Sequence, residues 1–486
     1  MDEIIGRKKE LRILEDALSS NTAEFIAIYG RRRVGKTFLI KNFFGRQSGV
    51  LFEQTGNNDS MKNQLKNFSI SLSKAFYHGA EMAVQATWMD ALFQLDKVIE
   101  QLPKNKKVTL FFDELPWLAT KKSGFLKALE YYWNTSWSHR KKIILVVCGS
   151  AASWMLKNII YAKGGLHNRI TVNIPLLPFT LGETSLYLNH RHNKFNQHQV
   201  MQLYMVMGGI PHYLKNVKRS LSVAQNLNNI CFQKGGLLLD EFEKLFHSLY
   251  EEPEIYIKII RAIADKRNGI SRDELISNIK EISDGGSLNR KLQGLEEAGF
   301  VSIFRPLGHA RRGVHYRLID EYSIFYLRWI EPMRQKTRIT SAGSPWVSMM
   351  RSPIWHAWAG YAFEAVCLKH IDAIAKALGL EKIHFYCGDW RYVSEKSTDE
   401  GAQIDLVFDR DDDCVTLCEI KHTDKPYVIT KEYAAKLEKK ASIFEERTGI
   451  KKQLLWCLIS SGGVVKNEYY NKLISRRNLY RIVIHD

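Results

Sequence analysis

Gly30-Arg31-Arg32-Arg33-Val34-Gly35-Lys36-Thr37 stands between an apolar run, Phe25 to Tyr29, and a helix-forming stretch, Phe38 to Phe44. Its spacing, G-x-x-x-x-G-K-T, suits a loop that closes around phosphate. Gly30 and Gly35 permit positive φ, so successive backbone N–H groups can face one anion. Lys36 is placed to reach the β and γ oxygens, Thr37 to offer a hydroxyl to Mg²⁺, and the helix N-terminus adds partial positive charge. Gly30, Arg33, Val34, Gly35, Lys36, Thr37 and Phe38, with Asp113 below, form the expected ATP-binding set. Arg31, Arg32 and Arg33 could meet phosphate, DNA or water.

The acid that such a loop needs lies further on. Val108 to Phe112 is a strand-forming run ending in Asp113-Glu114. Asp113 is expected in the Mg²⁺ shell, and Glu114 is expected to orient and deprotonate the attacking water. Ile143 to Cys148 is a further buried-type strand, followed by Gly149-Ser150. Arg169 precedes an expected strand at 170–174; it reads either as a cation that neutralises transition-state charge or as a solvated loop arginine. Apolar strands that alternate with helices and carry chemistry at their C-terminal ends specify a mainly parallel sheet.

The chain has 486 residues, too many for one core, with 45% hydrophobic and 11% aromatic residues. A net charge of +18 points to a polyanionic partner, nucleic acid first. Seven cysteines without a C-x-x-C pair, and no apolar leader or span, lead us to expect a reducing cytoplasm and no membrane association.

Helices are expected through 56–102, and Met207-Gly208-Gly209-Ile210-Pro211 must break a helix between 182 and 246, as a lid hinge or a simple corner. From Glu254 three short helices are followed by strands at 300–304 and 314–318, the order of a winged helix-turn-helix. Ser287 is expected to cap the third helix, and Asn289, Arg290, Lys291 and Gln293 to face DNA from it, with Arg311, Arg312 and Arg317 on the wing. An aromatic helix at 320–329 is expected to pack against the next domain, with 335–353 as linker.

The last domain opens with a helix, Trp355 to Ala377, carrying Glu364. Gln403 to Phe408 and Val415 to Lys421 then read as a hairpin around an Asp-rich turn. Glu419 and Lys421 project from one face, and pairing across the turn sets Asp405 opposite Glu419. Asp405 and Glu419 can bind a divalent cation, Glu364 can add a ligand, and Lys421 can hold water or stabilise charge on a scissile phosphate. A surface salt-bridge cluster is the plainer alternative.

Across nearly the whole length the chain resembles archaeal-type AAA+ ATPases of the branch related to signalling (STAND) NTPases, joined to a winged helix and a PD-(D/E)XK nuclease-like domain. GRRRVGKT, FFDELPW, GGIPHYL and QID with EIK carry the resemblance. It implies that Ile4-Ile5-Gly6-Arg7 packs over adenine and that Ser150 contacts the γ phosphate or the water. It implies an α/β multidomain protein: ATPase core 1–178, helical lid 179–250, winged helix 251–334 and a restriction-endonuclease-like domain 350–486. The expected function is an ATP-hydrolysing DNA-binding protein with an Mg²⁺-dependent nuclease domain. Two alternatives stand beside it: a domain that binds DNA structure without cutting, and a signalling NTPase whose winged helix binds protein. Many relatives carry Glu where this chain has Gln403, a departure that bears on a second metal. Oligomeric state, a homo-oligomer included, is open at this stage.

Overall fold

The computed structural model describes residues 3–161, 164–166, 168–305, 307, 313–336, 345–394, 400–471 and 480–482. Its first sheet contains β1 (Glu24–Tyr29), β2 (Val50–Thr55), β3 (Val108–Asp113), β4 (Ile143–Gly149) and β5 (Val172–Pro175), in the order β2-β3-β4-β1-β5. All four pairings are parallel. β1, β3 and β4 are buried almost throughout, which is why they read as continuous apolar runs. β2 escaped the sequence reading because it is an edge strand of alternating burial with Glu53, Gln54 and Thr55 at its end.

Helices Met61–Phe76, Trp88–Gln101 and Phe125–Thr135 pack one apolar stripe each on one face of this sheet. The other face continues into a second core that runs through the helices between 181 and 249 and on to the C-terminal domain. Helix Gln197–Met207 ends at Gly208 and Gly209, with φ of 60° and 68°. A Cβ at Gly209 would stand 2.1 Å from the Phe179 carbonyl oxygen, so the break needs glycine for close approach as well as for its backbone angle.

Helices Pro253–Ala264, Arg272–Asn278 and Gly286–Glu297 are combined with a small antiparallel sheet, β6 (Ile270–Ser271), β7 (Val301–Phe304) and β8 (His315–Leu318), ordered β6-β8-β7. Ser271 caps the second helix, with Glu274 completing the capping box. Ser287 does not cap the third: that helix begins a residue earlier, after Gly285, without a side-chain cap.

The expected aromatic helix, Glu321 to Lys336, is helical with a wide turn at Tyr326–Ile330. The stretch read as linker contains a helix, Pro345–Met349, whose Trp346 is fully buried against Phe232, Phe325, Trp329 and Trp355. The polar Ser-Ala-Gly-Ser letters suggested a solvated link, but an indole of that size binds its segment to the core.

The C-terminal sheet contains β9 (Phe385–Tyr392), β10 (Ala402–Arg410), β11 (Cys414–Lys421), β12 (Gln453–Ser460) and β13 (Tyr480–Ile482), ordered β13-β12-β11-β10-β9. β9, β10 and β11 are antiparallel neighbours, and β12 and β13 continue parallel to β11. Cys418 and Ile420 join the core that includes helix Pro353–Lys369, whereas Leu417 joins the core under helix Lys431–Thr448. The alternation read from the sequence is therefore realised as two covered faces.

Candidate active sites

The phosphate loop closes upon itself. Gly30 and Gly35 take φ of 149° and 97°, and a Cβ at Gly30 would reach within 2.2 Å of the Leu176 carbonyl oxygen. Lys36 Nζ donates to the carbonyls of Gly30 at 2.8 Å and Arg31 at 3.0 Å, and to Ser150 Oγ at 3.0 Å. Ser150 in turn donates through Oγ to Glu114 Oε1 at 2.5 Å and through its backbone N–H to Oε2 at 3.2 Å. Lysine, serine and glutamate thus form one chain across the end of the sheet. Glu114 itself is held at φ 48°, a strained backbone angle for a side-chain-bearing residue, where β3 turns into its short helix.

Beside them Thr37 Oγ1 donates to Asp113 Oδ2 at 2.6 Å. Burial raises the Asp113 carboxyl above its usual range, opposed chiefly by the Thr37 hydrogen bond. A hydroxyl paired with a buried carboxylate next to a phosphate loop is the donor set that suits hexacoordinate Mg²⁺. The open cleft above measures about 610 Å³, and Arg32, Lys36, Thr37, Phe38, Glu114 and Ser150 line it together with Ile4, Ile5 and Arg7. Arg7 is buried over the Phe179 ring and donates to the carbonyls of Leu177 at 2.7 Å and Val34 at 3.1 Å. The segment Ile4 to Arg7 thereby closes one wall of the cleft.

The sequence reading missed what the helical region brings to this cleft. Arg191, Pro211, His212 and Lys215 all line it. For Pro211, His212 and Lys215 the signal was the GGIP corner, to which they belong or which they follow; Arg191, at the end of helix Leu181–His190, had none. Arg169, by contrast, is exposed, does not line the cleft, and belongs to a turn in which its N–H donates to Leu166 O at 3.2 Å. Of the loop arginines, Arg31 meets none of the three expected partners. It is fully buried, ion-paired with Asp320 and stacked 5.0 Å over Phe300, and Asp320 and its other neighbours outweigh the burial that would lower its pKa. Arg33 pairs with Glu241 at 2.7 Å and lines the cleft beside Arg32.

In the C-terminal domain the β10–β11 register pairs Leu406 with Cys418, and one further step sets Asp405 opposite Glu419. Ile420 N–H donates to Asp405 Oδ2 at 2.9 Å, and Lys421 Nζ lies 4.0 Å from that oxygen and 3.1 Å from Glu419 Oε2. Burial, and then the Asp405 charge, push Glu364 up to about 7. Glu364, Asp405, Glu419 and Lys421 therefore share one electrostatic environment. Two members of it were not read from the sequence, Tyr433, which donates to Glu419 Oε2 at 3.0 Å, and Lys440, which ion-pairs with Oε1. They lie seven residues apart on helix Lys431–Thr448, so one helical stripe delivers both.

The third helix of the 253–318 region leaves Asn289, Arg290 and Gln293 exposed. Lys291 leaves that face: it pairs with Glu252 and stands 5.3 Å over Tyr256, because its position turns toward the neighbouring helix. Arg317 is likewise withdrawn from the wing, paired with Asp389 of β9 at 2.8 Å and packed on Phe304. Arg311 and Arg312 lie outside the described residues. The Gly294 side of the helix packs on Ser153, three residues beyond Ser150.

The parallel order β2-β3-β4-β1-β5, with a phosphate loop after β1 and acids after β3, is an arrangement typical of P-loop ATPases. Residues 4–217 match the family described as an ATPase domain predominantly from Archaea. An uncharacterised protein of Methanocaldococcus jannaschii is 26% identical over 425 residues, covering 86% of this chain and 88% of that protein. An uncharacterised ATP-binding protein of the same organism is 56% identical over 39 residues, 8% of this chain and 66% of that protein. Among solved structures, a Walker-type ATPase of Pyrococcus abyssi superposes with a TM-score of 0.46 at 18% identity, covering 67% of this chain and 96% of its own. The ORC2 protein of Aeropyrum pernix, solved with ADPNP and ADP, superposes at 0.43 with 17% identity, covering 69% of this chain and 96% of its own. Among the described residues no helix is long and apolar enough to cross a membrane.

Proposed function

We propose that this protein hydrolyses ATP, binds DNA and cuts phosphodiesters with its C-terminal domain. The observation that carries the ATPase reading is the Lys36–Ser150–Glu114 chain beside the Thr37–Asp113 pair. When phosphate enters, Lys36 exchanges the loop carbonyls for β and γ oxygens. Ser150 then loses a partner on one side and is free to re-aim Glu114, which takes the proton of the attacking water. Mg²⁺ held by Thr37 and Asp113 would neutralise phosphate charge.

For DNA the support is the +18 charge and the exposed Asn289, Arg290 and Gln293 on the third helix of a winged-helix-like order. For cutting it is the convergence of Glu364, Asp405, Glu419 and Lys421. Their oxygen donors fit Mg²⁺ or Mn²⁺, which would polarise the phosphodiester, while Lys421 stabilises charge on it.

A second reading, a DNA-binding platform that does not cut, is favoured by one observation: both Glu419 oxygens are already engaged by Lys421, Tyr433 and Lys440. A cation would compete with these three donors for the Glu419 lone pairs. Cleavage of labelled duplex, forked and single-stranded DNA with Mg²⁺ or Mn²⁺, with and without ATP, separates the two. Cutting by the wild type that disappears in Asp405→Ala with Glu419→Ala, with DNA binding kept, establishes the nuclease. Binding of one DNA form without cutting by either protein selects the platform.

A further inference from the structure

A second set of metal-type ligands lies where the ATPase region meets the C-terminal domain, apart from both sites above. His198 begins helix Gln197–Met207, while His422 and Asp424 follow directly on β11. One ligand atom from each of His198, His422 and Asp424 falls within 4.8 Å of the others. His198 Nε2 is 3.2 Å from Asp424 Oδ1, and the second Asp424 oxygen is 4.0 Å from His356 Nδ1, at the start of helix Pro353–Lys369. Ligands held at ~2.0–2.2 Å around tetrahedral Zn²⁺ are separated by roughly 3.3 Å. The His198–Asp424 edge already has that length.

Hydrogen bonding to Asp424 and Gln202 engages His198 Nε2 but leaves other nitrogens of the cluster unsatisfied. The Nδ1 atoms of His198 and His422 are buried without a hydrogen-bond partner, and the two rings stack 5.4 Å apart at 13°, an approach that disfavours protonating both. Gln202 touches His198 Nε2 at 3.0 Å, on the edge that faces Asp424.

We propose that His198, His422 and Asp424 bind one borderline-soft divalent metal of the Zn²⁺ type, with water or His356 in the fourth position. Two imidazoles and one carboxylate select such an ion over Mg²⁺, which takes oxygen donors. The ion clips helix Gln197–Met207 to the segment that follows β11, the strand that carries Glu419 and Lys421. Its role is to fix the distance between the two sites, and it needs neither of them to be active.

The test uses the full chain, stripped with chelator, re-equilibrated with Zn²⁺ in excess Mg²⁺, and analysed for bound zinc by elemental analysis. One Zn²⁺ per chain is expected in the wild type and in Asp405→Ala with Glu419→Ala. In Asp424→Ala and in His198→Gln, both at partly exposed positions, the retained zinc is expected to be lost. Zn²⁺ should raise the melting temperature of the wild type and leave that of Asp424→Ala unchanged. A wild type that retains no zinc in excess Mg²⁺ overturns the proposal, as does undiminished zinc in a folded Asp424→Ala. Neither readout depends on nuclease or ATPase activity, so failure here and failure of the proposed function are distinguishable.

Discussion

Lys36, Ser150 and Glu114 are joined as donor, relay and acceptor, so single changes at the two ends should separate binding from chemistry. Lys36→Ala is expected to abolish nucleotide binding. Glu114→Gln is expected to bind ATP and to turn over about 10²–10⁴-fold more slowly, checked by nucleotide titration and phosphate release. Normal turnover by Glu114→Gln would remove that residue from the role of base. At Glu364 the prediction concerns pH. Its carboxyl titrates at about 7 in the folded protein against an ordinary value of 4.5, because burial and then Asp405 disfavour its charge. A raised acid contributes stability that is complete below 4.5 and is lost as pH rises toward 7, here on the order of 3 kcal/mol. Denaturation midpoints of metal-free protein should therefore fall across that window, and Glu364→Gln should flatten the fall.

Elements carry the next two predictions. The break after helix Gln197–Met207 depends on Gly209, where a side chain meets both a left-handed φ and the Phe179 carbonyl. Gly209→Ala is expected to cost about 1–3 kcal/mol for the backbone angle alone, with the collision adding to it, read as a lowered melting temperature. The third helix, Gly286–Glu297, divides its polar residues: Asn289, Arg290 and Gln293 face outward, while Lys291 is bound to Glu252. Arg290→Ala should therefore reduce the slope of log K against log[salt] for duplex by about 0.9, and Lys291→Ala should leave the slope unchanged. An equal loss of slope at Lys291 would contradict this division.

At the scale of the molecule, the phosphate loop is tied to the rest of the chain by its own variable letters. Arg31 pairs with Asp320, which also caps the helix beginning at Glu321, and Arg33 pairs with Glu241. Arg31→Ala leaves the Asp320 carboxylate, 1% exposed, buried without its cation, a loss of about 3–5 kcal/mol by urea denaturation. Arg31→Met with Asp320→Asn, which keeps a capping side chain, should recover most of that loss. If the single variant were as stable as the wild type, Asp320 would have to be compensated by another group.

Motifs in which spacing alone fixes chemistry were legible in the letters: the phosphate loop, the acids after β3, and the alternation that aims Glu419 and Lys421 together. Short-range geometry decides these, since a strand's two-residue repeat and a glycine's backbone freedom do not depend on distant partners. Burial and pairing across long sequence separations were decided only in three dimensions. The letters could not say that Arg31 meets a carboxylate 289 residues away, or that Lys440 lies on Glu419. They could not say that Arg317 faces β9 rather than solvent, or that Trp346 makes a core of an apparent linker. A charged or aromatic side chain takes whichever partner the packed elements place beside it, and that choice belongs to the tertiary structure.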